Sequence, residues 1–300
     1  MSPTLLVITG PTAIGKTGVA IRLAQALDTE ILSADSRQFF REMAIGTAKP
    51  SPAELRAAPH HFIDSLSIQD DYDAGKYEHD ALALLTRLFE SHPVVILCGG
   101  SGMYVDAVCK GFDLLPEVEE SQRKMLNELY KRQGIHALQA LLLEHDPDHY
   151  QQVDLNNPHR LIRALEITLS TGTPYSGFRK GEGAKRPFRI VKIGLNTERE
   201  ELYNRINRRV DDMMDQGLLD EVKALLPFKK LNALQTVGYK ELFDYLEGKY
   251  SLEDAISLIK QNTRRFSKRQ LTWFRKDTTI HWMDPLKPEF QLQDILKQLE

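Results

Sequence analysis

Gly10-Pro11-Thr12-Ala13-Ile14-Gly15-Lys16-Thr17 has the spacing G-x-x-x-x-G-K-T. It follows an apolar run from Leu5 to Thr9 and opens a segment that places Val19, Ala20, Leu23, Ala24 and Leu27 on one helical face. Each residue type in the loop has a physical task. Glycines let the backbone turn tightly so that successive N–H groups point inward, and the helix N-terminus adds positive partial charge. Lys16 supplies a mobile cation and Thr17 a hydroxyl suited to Mg²⁺. A Gly-rich strand-to-helix turn without a ligand is the bland alternative; the Lys-Thr pair between a strand and a helix argues against it. The loop predicts a bound phosphate or diphosphate and leaves its owner open.

Outward from the loop, Glu30 to Ala34 reads as a second strand, and strand, loop, helix, strand is the start of a parallel α/β sheet of the P-loop NTPase-like kind. Asp35 stands at the carboxyl end of that strand, where ligands bind in open α/β sheets. A capping role for Asp35 is the competing reading. Residues 35–50, including Ser36, Arg37 and Gln38 and ending in Gly46-Thr47-Ala48-Lys49-Pro50, are polar and turn-rich, as expected of a loop that meets a second substrate. Pro93 to Cys98 reads as a buried strand that runs into Gly99-Gly100-Ser101-Gly102. NTPases place a Mg²⁺-binding acid at the end of such a strand, and here a cysteine and glycines stand instead.

Composition narrows the class. The chain has 300 residues, 42% hydrophobic and 27% charged, with 39 Lys and Arg against 42 Asp and Glu, net −3. These values predict a soluble globular chain of one large or two smaller domains, in which any nucleic-acid site is a local patch. Cys98 and Cys109 form no C-x-x-C pair, so neither a disulfide framework nor a zinc site is expected. His60-His61 lacks a spaced third ligand, and Pro147 interrupts His145 and His149, so both pairs read as structural. With no secretion-type start and no run of apolar residues long enough to span a bilayer, the expected location is cytoplasmic.

From Leu114 to Pro187 the pattern becomes helical without a convincing strand, with helices at 121–133, 136–144 and 158–171, before a strand returns at Phe188 to Leu195. This predicts a core of residues 1–113 and 188–300 with an inserted all-helical domain at 114–187. Arg160 and Arg163 share one face of the third helix. After the returning strand, residues 200–225 read as helix; Arg205 and Arg209 lie one turn apart and can grip a diphosphate or pair with Asp212 or Glu201. The patch comes late. Thr263 to Lys276 holds six Lys or Arg and no acid, interleaved with Phe266, Trp273 and Phe274. Its pattern predicts Arg264, Lys268 and Arg275 along one stripe, meeting nucleic-acid phosphates, while Phe266, Gln270 and Trp273 form another that packs on the sheet.

The blocks GPTAIGKT, SADSRQ, GTAKP, CGGSGMY, NNPHRLIRALE, TVGYKEL and KRQLTWFRK run in that order along nearly the whole chain. Together they resemble the tRNA dimethylallyltransferases, or tRNA isopentenyltransferases, in their short bacterial form. The resemblance implies transfer of a dimethylallyl group from dimethylallyl diphosphate to N6 of the adenosine 3′-adjacent to the anticodon, with Mg²⁺ as cofactor and the tRNA anticodon stem-loop as partner. It implies that Gly10, Pro11, Thr12, Ala13, Ile14, Gly15, Lys16 and Thr17 bind the diphosphate, with Thr17 on Mg²⁺, Asp35 as general base and Arg205 on the diphosphate, Arg209 being the fallback. It further implies tRNA contacts at Asp35, Ser36, Arg37, Gln38, Ser101 and Arg123, and at His159, Arg160, Leu161, Ile162 and Arg163. The turn Gln235, Thr236, Val237, Gly238, Tyr239 and Lys240, and the helix carrying Lys268, Arg269, Gln270, Trp273 and Arg275, complete the implied tRNA surface. Ser101 departs from the frequent Thr and keeps the hydroxyl; Gln235-Thr236 departs from a common Arg-Cys. A monomer is expected. A P-loop small-molecule kinase, an adenine-nucleotide prenyltransferase and a nucleotide-regulated RNA-binding module remain as alternatives, the acid-free third strand and the basic helix weighing against the kinase.

Overall fold

The computed structural model describes residues 2–299 except Leu114, Glu117, Lys180, Gly181 and Glu182, and, of Glu120, the backbone alone. Two compact units are present, residues 1–110 with 186–300, and residues 111–185. Leu114, where the sequence pattern starts the inserted domain, lies outside the described residues.

The first unit is built on six parallel strands: β1 (Thr4–Thr9), β2 (Ile31–Ser33), β3 (His60–His61), β4 (Val94–Cys98), β5 (Arg189–Leu195) and β6 (Ile280–Met283), in the order β3-β2-β4-β1-β5-β6. All six residues of β1 are buried, as the continuous apolar run demands of a central strand covered on both faces. It pairs with β4 from Thr4↔Val94 to Ile8↔Cys98 and with β5 from Thr4↔Arg189 to Thr9↔Gly194. Helices Lys16–Leu27 and Arg199–Asp215 cover one face, where Leu23, Leu6, Ile193 and Leu202 share a core. Helices Ala74–Leu88 and Gly102–Lys110 cover the other, around Leu5, Val95, Tyr77 and Val108. A third cluster joins the loop residues Phe40 and Met43 to Leu218, Leu242 and Ile259. Consequently the carboxyl ends of β1, β2 and β4 converge on one edge, walled by the Leu252–Phe274 helix.

The segment expected to be one helix from 200 to 225 is two, Arg199–Asp215 and Leu218–Leu225. Gly217 takes φ 98°, a conformation that L side chains rarely adopt, and redirects the chain. The strand read as third is fourth, because His60–His61 forms an edge strand too short to carry a periodicity. His60 Nδ1 meets the Ala58 carbonyl at 2.8 Å, and His61 Nε2 meets the Glu30 carboxylate at 2.5 Å. Among the described residues no helix is long and apolar enough to cross a membrane.

The second unit is helical, with Glu120–Gln133, Ile135–His145 and Pro158–Thr171 packed around Leu126, Leu138, Leu142, Leu161 and Leu165. Helix Ile135–His145 ends before Pro147, and Asp146, 1% exposed, caps the next turn by accepting the His149 N–H at 3.0 Å. Asn157 caps the third long helix through the Arg160 N–H at 3.3 Å.

Candidate active site

The phosphate loop joins β1 to the Lys16–Leu27 helix. Gly10 takes φ 140°, and a Cβ there would lie 2.2 Å from the Leu195 carbonyl oxygen, so β5 packs directly against the loop backbone. Lys16 folds back over the loop and donates from Nζ to the Pro11 carbonyl at 2.8 Å. Burial pulls the Lys16 ammonium down to about 8; Cys98 and Asp35 oppose the fall, and Arg209 adds to it. Both arginines from the Arg199–Asp215 helix reach the loop: Arg205 Nε donates to the Ala13 carbonyl at 2.9 Å, and Arg209 Nη1 to Thr12 Oγ1 at 3.4 Å. They bond to the loop instead of to Asp212 or Glu201, and with Lys16 and Thr17 they line a cavity of about 380 Å³. Desolvation lowers the basicity of Arg209, with the Asp35 charge compensating.

Asp35 lies just past β2. Its Oδ1 accepts the Arg37 N–H at 3.2 Å, the local turn bond that a capping role predicts. Asp35 also lines two cavities, the one of about 380 Å³ beside the loop and a larger one of about 850 Å³. Thr12, Arg209 and Gln270 also lie on this shared wall. Ser36 and Ser101 are tied to each other, N–H to Oγ at 3.1 Å, which binds the β2 and β4 loops together. Arg37 donates to the Asn232 carbonyl at 3.1 Å, and Gln38 to the Thr47 and Ala48 carbonyls at 3.2 and 3.1 Å. Where an NTPase strand ends in an acid, β4 ends in Cys98, a thiol that burial pushes up to about 11 and so keeps neutral.

The Leu252–Phe274 helix differs from expectation. Its inward side chains are Ala255, Ile259, Ser267, Gln270 and Phe274. Phe266 and Trp273 are 38% and 40% exposed and line the larger cavity instead of packing on the sheet. The inward stripe differs because Gln270 bonds to loop backbone while Phe274, the neighbour of Trp273, takes the place against the sheet beside Leu5 and Val7. Lys268, Arg269 and Arg275 are exposed, whereas Arg264 donates to Asn207 Oδ1 at 2.6 Å. In the turn before helix Tyr239–Leu246, Gln235, Thr236, Val237, Gly238 and Lys240 line the larger cavity. Tyr239 is fully buried and donates its hydroxyl to Glu221 Oε1 at 2.6 Å, so its side chain belongs to the framework.

In the helical unit, Arg123 and Arg163 both grip Glu166, at 2.9 and 2.5 Å, with Glu166 1% exposed. Leu161 and Ile162 are buried in that unit's core, which removes their side chains from an RNA surface; the helical period turns them inward while His159 and Arg160 stay exposed. Glu221 was not legible as a site-forming residue. Its carboxylate accepts the N–H groups of Ala44, Ile45 and Gly46 at 3.0, 2.8 and 3.0 Å and so shapes the loop that carries Thr47 and Ala48 into both cavities. An acid in the first turn of a helix was its only sequence signal.

The family model described as IPP transferase matches residues 38–277. The chain is 52% identical over 283 residues, covering 94% of itself and 92% of the relative, to tRNA dimethylallyltransferase 1 of Bacteroides thetaiotaomicron. It is 53% identical over 284 residues, 95% of itself and 94% of the relative, to the tRNA dimethylallyltransferase of Christiangramia forsetii. Among solved structures, it is similar to the tRNA isopentenylpyrophosphate transferase of Bacillus halodurans, at TM-score 0.72 and 38% identity over 99% of this chain and 95% of that one. A eukaryotic dimethylallyltransferase acting on tRNA aligns at TM-score 0.81 and 26% identity, over 94% and 74% of the two chains. With a family model over residues 38–277 and relatives more than half identical along nearly the whole chain, the chain belongs to the tRNA dimethylallyltransferase family.

Proposed function

We propose that this chain transfers the dimethylallyl group of dimethylallyl diphosphate to N6 of the adenosine 3′-adjacent to the anticodon of tRNA and releases diphosphate. The observation that carries the reading is the position of Asp35 on the wall shared by two cavities. The smaller one has the cations and loop of a diphosphate site, and the larger one has room and aromatic walls for an extruded base. An acid between donor and acceptor is where a base must stand.

In this reading the adenine N6 attacks the allylic carbon, the carbon–oxygen bond to diphosphate breaks, and Asp35 accepts the N6 proton, an assistance worth on the order of 10² to 10⁴ in rate. Charge that builds on the departing diphosphate is met by Lys16, Arg205, Arg209 and the loop amides. Mg²⁺ fits the donor set, since Thr17 and Asp35 bring oxygens to the phosphate cavity and this ion takes oxygen ligands while keeping waters and substrate phosphates. Thr17 would hold it, and when bound it would neutralise part of the diphosphate charge. The exposed Lys268, Arg269 and Arg275 supply phosphate contacts to tRNA, with Trp273 as a stacking wall. His159, Arg160 and Arg163 of the helical unit supply further tRNA contacts. Action on tRNA in the cytoplasm by a monomeric chain completes the reading.

Incubation with unmodified tRNA, Mg²⁺ and dimethylallyl diphosphate tests it. Mass spectrometry should find one isoprenoid unit on that adenosine, and none when ATP replaces the donor. Phosphate release from ATP, or prenylation of free adenine nucleotides in preference to tRNA, would overturn it.

A further inference from the structure

We propose that Gln270 is a positioning residue for the diphosphate site, setting the peptide plane that holds Lys16. Gln270 is 7% exposed. Its Oε1 accepts the Thr12 N–H at 2.9 Å, and its Nε2 donates to the Gly100 carbonyl at 2.9 Å. The orientation of the amide is forced, because a backbone N–H can only donate and a carbonyl can only accept. One side chain therefore links the phosphate loop, the loop after β4 and the Leu252–Phe274 helix.

The consequence for Lys16 follows from peptide planarity. The Thr12 N–H and the Pro11 C=O belong to one rigid trans unit and point in opposite directions. Fixing the N–H on Gln270 aims the carbonyl the other way, and that carbonyl receives Lys16 Nζ at 2.8 Å. Gly100 keeps this junction closed: a Cβ there would sit 2.4 Å from Gln270 Nε2 and 3.4 Å from Lys16 Nζ. With both amide atoms committed inward, Gln270 acts on the donor side of the site, although its helix neighbours Lys268 and Arg269 are exposed and Trp273 lines the larger cavity. Deleting it leaves a half-buried N–H and a buried carbonyl without this partner, and lets the Pro11–Thr12 peptide rotate away from the ammonium.

The inference rests on the reading that the loop holds a diphosphate, so the probe is inorganic pyrophosphate with Mg²⁺, titrated calorimetrically into the full chain without RNA. Wild type should bind it. Gln270→Leu should bind roughly tenfold more weakly or worse, the scale expected for an unsatisfied buried pair, and raise KM for dimethylallyl diphosphate in parallel while KM for tRNA stays within about twofold. Gln270→Glu supplies the rescue. A neutral carboxylic acid has the same single donor and acceptor toward these partners, whereas a carboxylate lacks the donor. The ratio of wild-type to Gln270→Glu affinity should therefore narrow as pH falls toward about 5, through the carboxylic range, while the ratio for Gln270→Leu stays constant. Failure of wild type to bind pyrophosphate would overturn the donor reading and the inference with it. Wild-type binding matched by both variants, or a loss confined to tRNA, would overturn the inference alone, and so would a pH-independent Gln270→Glu ratio.

Discussion

The Tyr239 hydroxyl donates to Glu221 Oε1 at 2.6 Å, and the same carboxylate gathers three consecutive backbone N–H groups from residues 44 to 46. A loop more than 170 residues away in the chain is thereby shaped by one acid on the Leu218–Leu225 helix. The Tyr239 phenol is pushed well above its ordinary range, chiefly by burial and then by the Glu221 charge, so it remains a donor at any working pH.

Glu221→Ala should accordingly destabilise the chain by about 2 kcal/mol or more, since it leaves several partners of a charged acceptor unpaired. Urea unfolding measures this. Tyr239→Phe should cost about 1 kcal/mol, and the double variant should cost less than the two together because the pair is coupled. Additive losses would mean that the two residues act independently.

Asp35→Asn should lower kcat by on the order of 10² to 10⁴, the usual worth of a positioned base. Pyrophosphate binding measured without Mg²⁺ should hold or improve, because a negative charge leaves the cavity that Lys16 and the arginines line. A variant with near-normal turnover on tRNA would remove Asp35 from the role of base.

The depressed Lys16 gives a pH dependence with a definite sign. Below about 8 the free enzyme carries the ammonium, and above it the amine is neutral. Under the proposed function, diphosphate binds the charged form and stabilises its proton. KM for the prenyl donor should therefore be level below that point and rise with pH above it, by up to roughly tenfold per unit where this group alone titrates. Saturating donor should flatten the profile of kcat over the same range. Lys16→Arg should abolish the rise, since a guanidinium stays charged throughout; persistence of the rise would assign it to another group.

Much of this site was legible from local spacing. The strand, glycine loop and helix at residues 4–27, the acid after β2 and the start of helix Pro158–Thr171 depend on residues a few positions apart, and the structure builds each where the pattern put it. What was not legible depends on partners far along the chain. Gln270 reads from the helix pattern as part of the sheet-packing stripe, and from the resemblance as a tRNA contact, until Thr12, 258 positions away, is seen donating to it. Glu221 reads as an ordinary first-turn acid. Leu161 and Ile162 were carried into the tRNA surface with their motif, although helical periodicity alone would have turned them into the core. Strands β3 and β6, of two and four residues, are too short for an alternating pattern to register, and they lie at the two edges of the sheet beside β2 and β5.

Trp273 offers the last test, of the wall of the larger cavity. Its indole Nε1–H donates to Asp106 Oδ2 at 2.9 Å, and its ring lies where a Cβ on Gly102 would meet Cδ1 at 2.4 Å. Asp106 is itself held by Lys110 at 2.9 Å, and Lys110 reaches Asp277, which Lys192 binds at 2.7 Å. The ring is thus fixed at one edge by an ion network and on one face by a glycine, leaving its remaining surface to the cavity. A preset aromatic platform spares an incoming base the ordering of its partner. Asp106→Ala should therefore raise KM for tRNA several-fold, leave pyrophosphate binding unchanged and increase the mobility of Trp273. The chain's only other tryptophan is Trp282, so fluorescence anisotropy in a Trp282→Phe background reports on Trp273 directly. Unchanged anisotropy with a raised KM would show that Asp106 acts on the RNA by some route other than the indole.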